Sequence, residues 1–317
     1  MRAILLHEYG SSDLLQLGDA PKPEPRPREV LVAVRASSVN PVDWKIRKGE
    51  FSFLTGKTPP LVLGGDFSGV VVEVGARAEG FHPGDEVFGL TNFFKGGAYA
   101  EFLVAGPENL ALKPKNLDFV QAAVMPLVGL TAIEALLQVG HLKRGEHILI
   151  NGCTGGVGTF ALQLARSIGA KVTGVCSAAK AAYARAQGAD LVIDYNQGDV
   201  FVLPQEYDLI FDIHPNLSFP QIKQCLKPGG RYVSTQPSVP QMFLDPVLNP
   251  FRPFKKRAVM VASKAHFLKA LAHLAETHQL VPRIEKKYSL KEVAQAHDYS
   301  ETGRVTGKLA LVQDLGD

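Results

Sequence analysis

The chain has 317 residues, 46% hydrophobic and 21% charged, which is enough material for about two domains with sizeable cores. Its 34 basic and 31 acidic residues leave a formal net charge of +3, and this balance argues against nucleic acid or an anionic membrane as the partner. The three cysteines, Cys153, Cys176 and Cys225, are odd in number and far apart, which argues against a disulfide framework and excludes a four-cysteine zinc site.

The beginning of the chain shows no targeting pattern. The apolar run Ala3–Leu6 is too short for the core of a signal peptide and is followed by His7 and Glu8. Charged residues interrupt every stretch of about 20 residues, the length that a membrane-spanning helix needs. We therefore expect no membrane span and a cytoplasmic location.

Short alternating segments dominate the N-terminal third of the chain. Glu29–Ser37 alternates apolar and polar positions, as a half-buried strand does, and glycines and prolines separate it from similar segments. The further predicted strands are Ser68–Gly75, Asp85–Leu90 and Ala98–Val104. Many short strands at this spacing predict a small barrel-like β domain.

Strands and helices alternate from about residue 120 onward. The predicted strands are 147–151, 171–176, 191–194, 207–212, 231–234 and 258–262. The predicted helices are 157–168, 178–187, 219–226 and 267–277. Repeated β-α-β units predict an α/β domain with a doubly wound parallel sheet. The tail ends in the strand-like sequence Gly307–Gln313 with no helix after it, so we expect it to return to the first domain.

The sharpest motif is the glycine-rich segment Asn151–Gly158, which lies between a predicted strand and a predicted helix. Its spacing is G-x-x-G-x-x-G, and glycines at these positions let the backbone turn tightly and approach a pyrophosphate. A purely structural turn is the alternative reading. The motif predicts a dinucleotide-binding (Rossmann) domain. The candidate phosphate contacts are Thr154, Gly155, Gly156 and Val157.

The end of the second strand indicates which dinucleotide binds. NAD enzymes usually carry Asp or Glu there for the ribose hydroxyls, but this chain has no carboxylate before Asp190. Ser177 offers a hydrogen-bond donor and Lys180 a positive charge for a 2′-phosphate, while Tyr195 offers a hydroxyl or a cover for the adenine. Each residue alone reads as an ordinary surface side chain, but together behind the loop they favour NADPH over NADH.

An ordered set of motifs across the whole chain resembles the zinc-free quinone oxidoreductases of the medium-chain dehydrogenase/reductase superfamily, and most of all their alkenal and enone reductase branch. Besides the glycine-rich loop, the motifs are Ser38–Lys45 (SVNPVDWK), Gly64–Val71 (GGDFSGVV), Pro126–Ala132 (PLVGLTA), Gly188–Asp190, Asp194–Tyr195 and Thr306–Lys308. The resemblance implies a GroES-like β-barrel catalytic domain, residues 1–118 and 263–317, with a Rossmann NADPH-binding domain, residues 119–262, inserted in it.

The resemblance also argues against a metal. Zinc alcohol dehydrogenases of the superfamily carry a cysteine where this chain has the Asn40–Asp43 stretch, and Gly-His-Glu where it has Gly64-Gly65-Asp66. The segment 91–97, where a structural zinc lobe would follow, contains no cysteine. We therefore predict no metal site.

The same resemblance implies roles for individual residues. Asn40 matches the family's active-site asparagine, a neutral donor near the nicotinamide and the substrate carbonyl, and Thr131 matches a threonine near the nicotinamide. Lys45 and Arg304 match residues that contact the cofactor. The structural alternatives are an Asx-type turn before Pro41 for Asn40 and exposed surface positions for Lys45 and Arg304.

A departure from the family pattern places His214 after the strand at 207–212, where it could lie near the nicotinamide ribose and relay a proton. A loop histidine without chemistry is the alternative. The basic run 251–257 reads as a solvated loop. No side chain stands out as a dedicated proton donor.

Three functional hypotheses follow. The first is NADPH-dependent reduction of the activated C=C bond of enals and enones, because an electrophilic carbon needs positioning more than it needs a metal. The second is an NADPH:quinone reductase on the same site, and the third is an NADPH-binding sensor without turnover. The expected partner is a small-molecule enone or quinone, with a possible homodimer through the strand predicted near 258–262.

Overall fold

The computed structural model describes residues 1–52, 59–92, 94–197, 206–214, 218–236, 244–245, 247–251, 254–259, 261 and 263–314. The chain divides into two compact units. The first comprises Met1–Leu127, Ala262–His278 and Pro282–Asp317, and the second comprises Val128–Val261 and Gln279–Val281. None of the described helices is long and apolar enough to cross a membrane.

The described strands, in chain order, are β1 (Arg2–Leu6), β2 (Leu15–Asp19), β3 (Val30–Val39), β4 (Leu61–Val62), β5 (Asp66–Val74), β6 (Glu86–Leu90), β7 (Phe102–Ala105), β8 (Leu110–Leu112), β9 (His147–Asn151), β10 (Lys171–Cys176), β11 (Leu191–Asp194), β12 (Tyr207–Asp212), β13 (Leu226–Ser234), β14 (Lys255–Ala258), β15 (Ile284–Ser289) and β16 (Lys308–Val312). The main α-helices among the described residues are α1 (Pro41–Arg47), α2 (Phe119–Ala123), α3 (Pro126–Ile133), α4 (Gly156–Ile168), α5 (Ala181–Gln187), α6 (Phe219–Cys225), α7 (Ala265–Glu276) and α8 (Val293–Glu301), and a π-helix, Glu134–Val139, continues α3.

The first unit is built on a seven-stranded sheet with the order β15-β16-β3-β5-β6-β8, in which β7 also pairs with β3. A three-stranded sheet of order β2-β1-β4 accompanies it. The long strand β3 supplies the centre, because its β-branched residues suit a pleated, buried position. The core on this side contains Val30, Val32, Phe67, Val87 and Leu110, all fully buried.

The C-terminal strand completes the first unit, as the tail of the sequence predicts. β16 pairs antiparallel with β3, so that Leu309 lies opposite Val39 and Leu311 opposite Ser37. β15 pairs parallel with β16 on the other side. The last strand of the chain therefore lies beside one of the first.

The second unit contains a six-stranded, all-parallel sheet with the order β11-β10-β9-β12-β13-β14. This is a doubly wound order: β10 and β11 are added on one side of β9, and β12, β13 and β14 are added on the other side. β9 (HILIN) is buried along its whole length, because neighbours pair with it on both sides. Helix α4 follows it and ends at Gly169, whose φ of 85° closes the helix in the left-handed region.

Several segments of the second unit differ from the sequence prediction, and β13 already begins at Leu226, where the predicted strand begins at residue 231. The single helix predicted over 178–187 is a 3₁₀ turn, Ala178–Lys180, followed by α5. The strand predicted at 258–262 overlaps β14 only at Ala258, since β14 runs from Lys255 to Ala258 and pairs with β13; residues 260 and 262 lie outside the described residues. Lys255–Arg257, part of the basic run 251–257 that was expected to be a solvated loop, therefore belong to β14. Their strand conformation comes from backbone pairing with β13 and not from an apolar pattern of side chains. The Arg257 guanidinium donates a hydrogen bond to the Val139 carbonyl at 2.7 Å.

We predict that β16 is essential to the stability of the first unit. Leu311 is fully buried, so Leu311→Ala should lower the free energy of unfolding by about 2–5 kcal/mol through lost burial and the cavity that remains. Leu112→Ala removes the same atoms from β8, where the side chain is 56% exposed, and serves as the control. Urea unfolding of both variants measures the difference, and equal losses would contradict the prediction.

Candidate functional site

A cluster of buried polar side chains forms in the first unit where β3 ends. Asn40 follows β3 directly and precedes Pro41, whose fixed φ suits the first position of α1. The Asn40 backbone N–H donates to Asp43 Oδ2 at 2.8 Å. Asn40 is only 1% exposed, so its side chain points into the unit.

Both ends of the Asn40 amide have internal partners. Its Oδ1 accepts a hydrogen bond from Lys308 Nζ, which reaches it from β16. Its Nδ2 donates to Asp66 Oδ2 at 2.9 Å and makes a longer contact of 3.4 Å with Ser38 Oγ. The amide thus has an ammonium on one side and a carboxylate on the other.

Lys308 and Asp66 are themselves buried, with exposures of 4% and 0%. Lys308 Nζ also donates to the Val39 carbonyl at 3.1 Å and lies 3.5 Å from Asp66 Oδ2. Burial lowers the pKa of Lys308, and the carboxyls of Asp66 and Asp43 oppose this decrease. Asp66 Oδ2 accepts from Ser38 Oγ at 2.6 Å, so the carboxylate has a further donor besides Asn40 and Lys308.

The second carboxylate oxygen of Asp66 faces a different element. Asp66 Oδ1 accepts a hydrogen bond from the backbone N–H of Leu127 at 2.8 Å, in the first turn of α3. The N–H groups of a first helical turn have no partner within their own helix, and a negative charge is favourable there. Asp66 therefore connects the Asn40 side chain at the end of β3 to the backbone of Leu127 in the same unit.

A second carboxyl, Asp43, is 2% exposed and adjoins this group of side chains. Burial raises the pKa of Asp43 to about 7, the Asn40 N–H opposes the rise, and Asp66 adds to it. Tyr99 Oη contacts Asp43 Oδ2 at 3.3 Å and His297 Nε2 at 3.2 Å. Burial, with help from Arg47, lowers the pKa of His297 to about 3, which keeps the imidazole neutral at physiological pH.

The glycine-rich loop of the second unit joins β9 to α4. Gly152 has a φ of 79°, a left-handed conformation that favours glycine, and Gly155 lies at the N-cap of α4. A Cβ on Gly158 would lie 2.3 Å from the Gly152 carbonyl oxygen, so only glycine allows the loop to fold this closely onto the helix. The candidate contacts Thr154, Gly155, Gly156 and Val157 follow one another through this turn into α4.

Hydrogen bonds between polar side chains hold the end of β9, where the glycine-rich loop begins. Asn151 Nδ2 donates to Asp212 Oδ1 at 2.8 Å and to the His214 carbonyl at 3.0 Å. Tyr232 Oη donates to the other Asp212 oxygen at 2.8 Å, and burial raises the pKa of the Asp212 carboxyl. These bonds hold the His214 backbone next to Gly152, while the His214 side chain is exposed.

The candidate determinants of the dinucleotide lie at the same edge of the sheet. Ser177 follows β10 and accepts the Lys180 N–H at 2.9 Å through its carbonyl, which closes the 3₁₀ turn. Tyr195 follows β11, and its side chain is 55% exposed. Because β9, β10 and β11 are parallel neighbours, their carboxyl ends bring the loop, Ser177, Lys180 and Tyr195 together.

The remaining predicted site residues lie in different places. Lys45 is half-buried on α1, with its Nζ 5.7 Å from the centre of the Trp44 ring, and Arg304 is exposed after α8. Both belong to the first unit, as Asn40 does. Thr131 lies on α3, is 5% exposed and belongs to the second unit.

No sequence pattern identifies Asp43, Asp66, Tyr99, His297 and Lys308 as parts of one cluster. A signal was present in part. Lys308 stands in an otherwise apolar strand, Lys308–Val312, where a lysine is unexpected unless it is exposed or paired. Asp66 likewise begins β5, whose first four residues are all buried.

Comparison with known proteins identifies relatives of both units. Residues 26–115 match the family model described as an alcohol dehydrogenase GroES-like domain, and residues 187–311 match the one described as a zinc-binding dehydrogenase. The chain is 34% identical to the NADPH-dependent alkenal/one oxidoreductase of Arabidopsis thaliana chloroplasts, over 98% of this chain and 79% of that protein.

Two further relatives match over nearly their whole length. The chloroplast envelope quinone oxidoreductase homolog of Arabidopsis thaliana is 30% identical and covers 98% of both chains. The structure of the quinone oxidoreductase from Coxiella burnetii superposes with a TM-score of 0.89 at 32% identity, over 98% of this chain and 99% of that one.

The described residues do not fit the zinc ion that one family description names. No three His, Cys, Asp or Glu side chains among them are grouped so as to hold a metal. Asn40 and Asp66, in the motifs that differ from those of zinc alcohol dehydrogenases, are already bonded to the Lys308 ammonium. A dication there would meet a buried positive charge. A side-chain hydrogen bond joins Cys153 and Cys176, and none of the three buried cysteines forms a disulfide.

Asp43 should make stability depend on pH. Its pKa is 3.8 in the unfolded chain and about 7 in the fold, so its stabilising contribution is complete below pH 4 and is lost as pH rises through 7. Relative to Asp43→Asn, the wild type should lose up to about 1.4 kcal/mol per pH unit in this window. Urea unfolding of both proteins from pH 4 to 8 measures this difference, and parallel curves would contradict it.

Proposed function

The chain belongs to the medium-chain dehydrogenase/reductase superfamily, alongside its quinone oxidoreductases and alkenal/one reductases, and from this we propose that it is an NADPH-dependent, zinc-independent reductase of α,β-unsaturated carbonyls. The observation that carries the proposal is the edge of the second unit, where the glycine-rich loop meets Ser177 and Lys180 with no carboxylate at the end of β10. The 34% sequence identity to an NADPH-dependent alkenal/one oxidoreductase, which extends over 98% of this chain, supports the proposal.

The residues of this edge fit a phosphorylated dinucleotide. Glycine at 158 lets the Gly152–Gly158 turn fold closely onto α4, and the first turn of α4 offers backbone N–H groups and the positive end of a helix dipole to a phosphate. Lys180 would supply charge, and Ser177 a donor, for a 2′-phosphate. When bound, NADPH supplies a hydride.

The other site residues have proposed roles in positioning. We assign Thr131 and Asn40 to the nicotinamide end, and Lys45, His214 and Arg304 to the cofactor. The role of Asn40 as a direct donor to substrate stays a prediction, because both ends of its amide have partners inside the first unit. An enone or enal already has an electrophilic carbon, so the side chains must orient it, exclude water and stabilise the negative charge that develops on its oxygen.

A quinone reductase is the second candidate. The match to the chloroplast envelope quinone oxidoreductase homolog and to the Coxiella burnetii structure favours it. The same residues would serve, since a quinone is also an electrophile conjugated to a carbonyl. A homodimer and a cytoplasmic location stay predictions.

A panel of enals, enones and quinones tests the proposal. We expect NADPH oxidation with the largest kcat/KM on enals or enones, followed by absorbance at saturating cofactor. A kcat/KM at least about tenfold larger for quinones would favour the second candidate. Tight NADPH binding with no turnover on any acceptor would favour the sensor hypothesis. Adding EDTA or Zn²⁺ should leave the rates unchanged, since the donor set at Asn40 and Asp66 is bonded to an ammonium.

Lys180 should determine the preference for NADPH. Lys180→Glu places a carboxylate where we expect the 2′-phosphate, so the Kd for NADPH should rise by about tenfold or more, and that for NADH by less than about threefold. Lys171→Glu makes the same charge change at the amino end of β10, more than a Debye length of about 8 Å away, and should alter neither. Fluorescence titration with both cofactors measures the effect, and equal losses for NADPH and NADH in Lys180→Glu would show that the cofactor assignment is wrong.

A further inference from the structure

Four side chains form what we call the buried charge cluster: Asn40, Asp43, Asp66 and Lys308. Their exposures are 1%, 2%, 0% and 4%. The cluster contains one amide, two carboxyls and one ammonium, which come in turn from the end of β3, helix α1, strand β5 and strand β16. Asp66 and Lys308, which are hydrogen-bonded to each other, lie 242 positions apart in the sequence. Groups this polar are buried together only where each has a partner.

The charges balance with one proton on Asp43. Desolvation gives the Asp43 carboxyl a pKa of about 7, so below neutral pH it is largely uncharged. Asp66 and Lys308 then remain as a buried ion pair, at 3.5 Å. Removing one partner of such a pair leaves an uncompensated buried charge, which destabilises the fold. Lys308 therefore has a structural role, and a test of any further role must separate the two.

The Asn40 amide is the neutral member of the cluster and has two faces of similar shape. An ammonium has only donors, and an ionised carboxylate has only acceptors. With Oδ1 toward Lys308 and Nδ2 toward Asp66, both contacts are hydrogen bonds. In the flipped orientation, two donors would face each other at Lys308 and two acceptors at Asp66. The pair therefore permits one orientation of the amide.

Lys308 also fixes the backbone that delivers Asn40. Its Nζ donates to the carbonyl of Val39, the last residue of β3, at 3.1 Å. The same ammonium thus holds both the peptide before Asn40 and the side chain of Asn40.

We propose that Lys308 is a positioning residue, which with Asp66 fixes the orientation of the Asn40 amide for the reaction. The inference rests on the proposed function, since it concerns the role assigned there to Asn40. It gives a buried lysine of the first unit a specific effect on turnover, exerted through its bond to Asn40 Oδ1.

A pair of substitutions separates the bond from the charge. Lys308→Met and Lys308→Gln both remove the ammonium, but only glutamine keeps an N–H donor for Asn40 Oδ1. We expect Lys308→Met to lower kcat on the best acceptor by about tenfold to a hundredfold, with the KM for NADPH within about threefold of wild type. Lys308→Gln should recover a clear part of that loss. Equal kcat values in the two variants, or a kcat for Lys308→Met within about twofold of wild type, would overturn the inference.

A second variant addresses the structural role. Asp66→Asn combined with Lys308→Met removes one charge of each sign, so the thermal unfolding midpoint should return toward that of wild type while kcat stays low. Full recovery of kcat together with stability would show that Lys308 only balances charge, and would overturn the proposal.

A readout independent of turnover distinguishes this inference from the proposed function. The side-chain NH₂ signals of Asn40 in a ¹H–¹⁵N NMR spectrum, assigned by their loss in Asn40→Asp, should be a single exchange-protected pair in the wild type. In Lys308→Met they should lose protection or double, because both orientations become possible. An unchanged pair would overturn the inference even if the wild type reduces none of the acceptors, a result that would by itself refute only the proposed function.

Discussion

The buried ammonium of Lys308 constrains the arrangement of the strands around it in the first unit. Lys308 has three donors and is only 4% exposed, so the surrounding chain must offer acceptors. It finds them in the Val39 carbonyl, Asn40 Oδ1 and Asp66 Oδ2. This requires β16 to lie beside β3, in the register that places Leu309 opposite Val39. Strand pairing and charge pairing therefore demand the same arrangement.

The second unit positions its glycine-rich loop by backbone geometry and hydrogen bonds. This loop bends sharply at Gly152, whose φ is 79°. Glycines at 152 and 158 permit the close approach, and Asn151 ties the end of β9 to Asp212 and to the backbone of His214. The three buried cysteines add packing but no crosslink. Rigidity here comes from backbone geometry and one buried hydrogen-bond network.

The sequence was sufficient to predict most of the architecture, and the reasons are local. The G-x-x-G-x-x-G spacing, the alternation in Glu29–Ser37 and the lone strand at the tail each have one structural meaning, and the fold class and the return of the tail are confirmed. The position of β14 could not be predicted, since Lys255–Arg257 carries no apolar pattern and only pairing with β13 makes it a strand. The buried charge cluster could not be predicted either, because its members are distant in sequence and their pairing depends on the three-dimensional fold.

The distance along the chain between Asp66 and Lys308 has a consequence for biosynthesis. A ribosome releases Asp43 and Asp66 early, but their counter-ion emerges only after the whole of the second unit has been made. Until then the first unit lacks both β16 and the ammonium that pairs with Asp66. The nascent chain must therefore hold these carboxylates in water while the parallel sheet of the second unit, whose strands β9 to β14 are contiguous in sequence, is free to fold first.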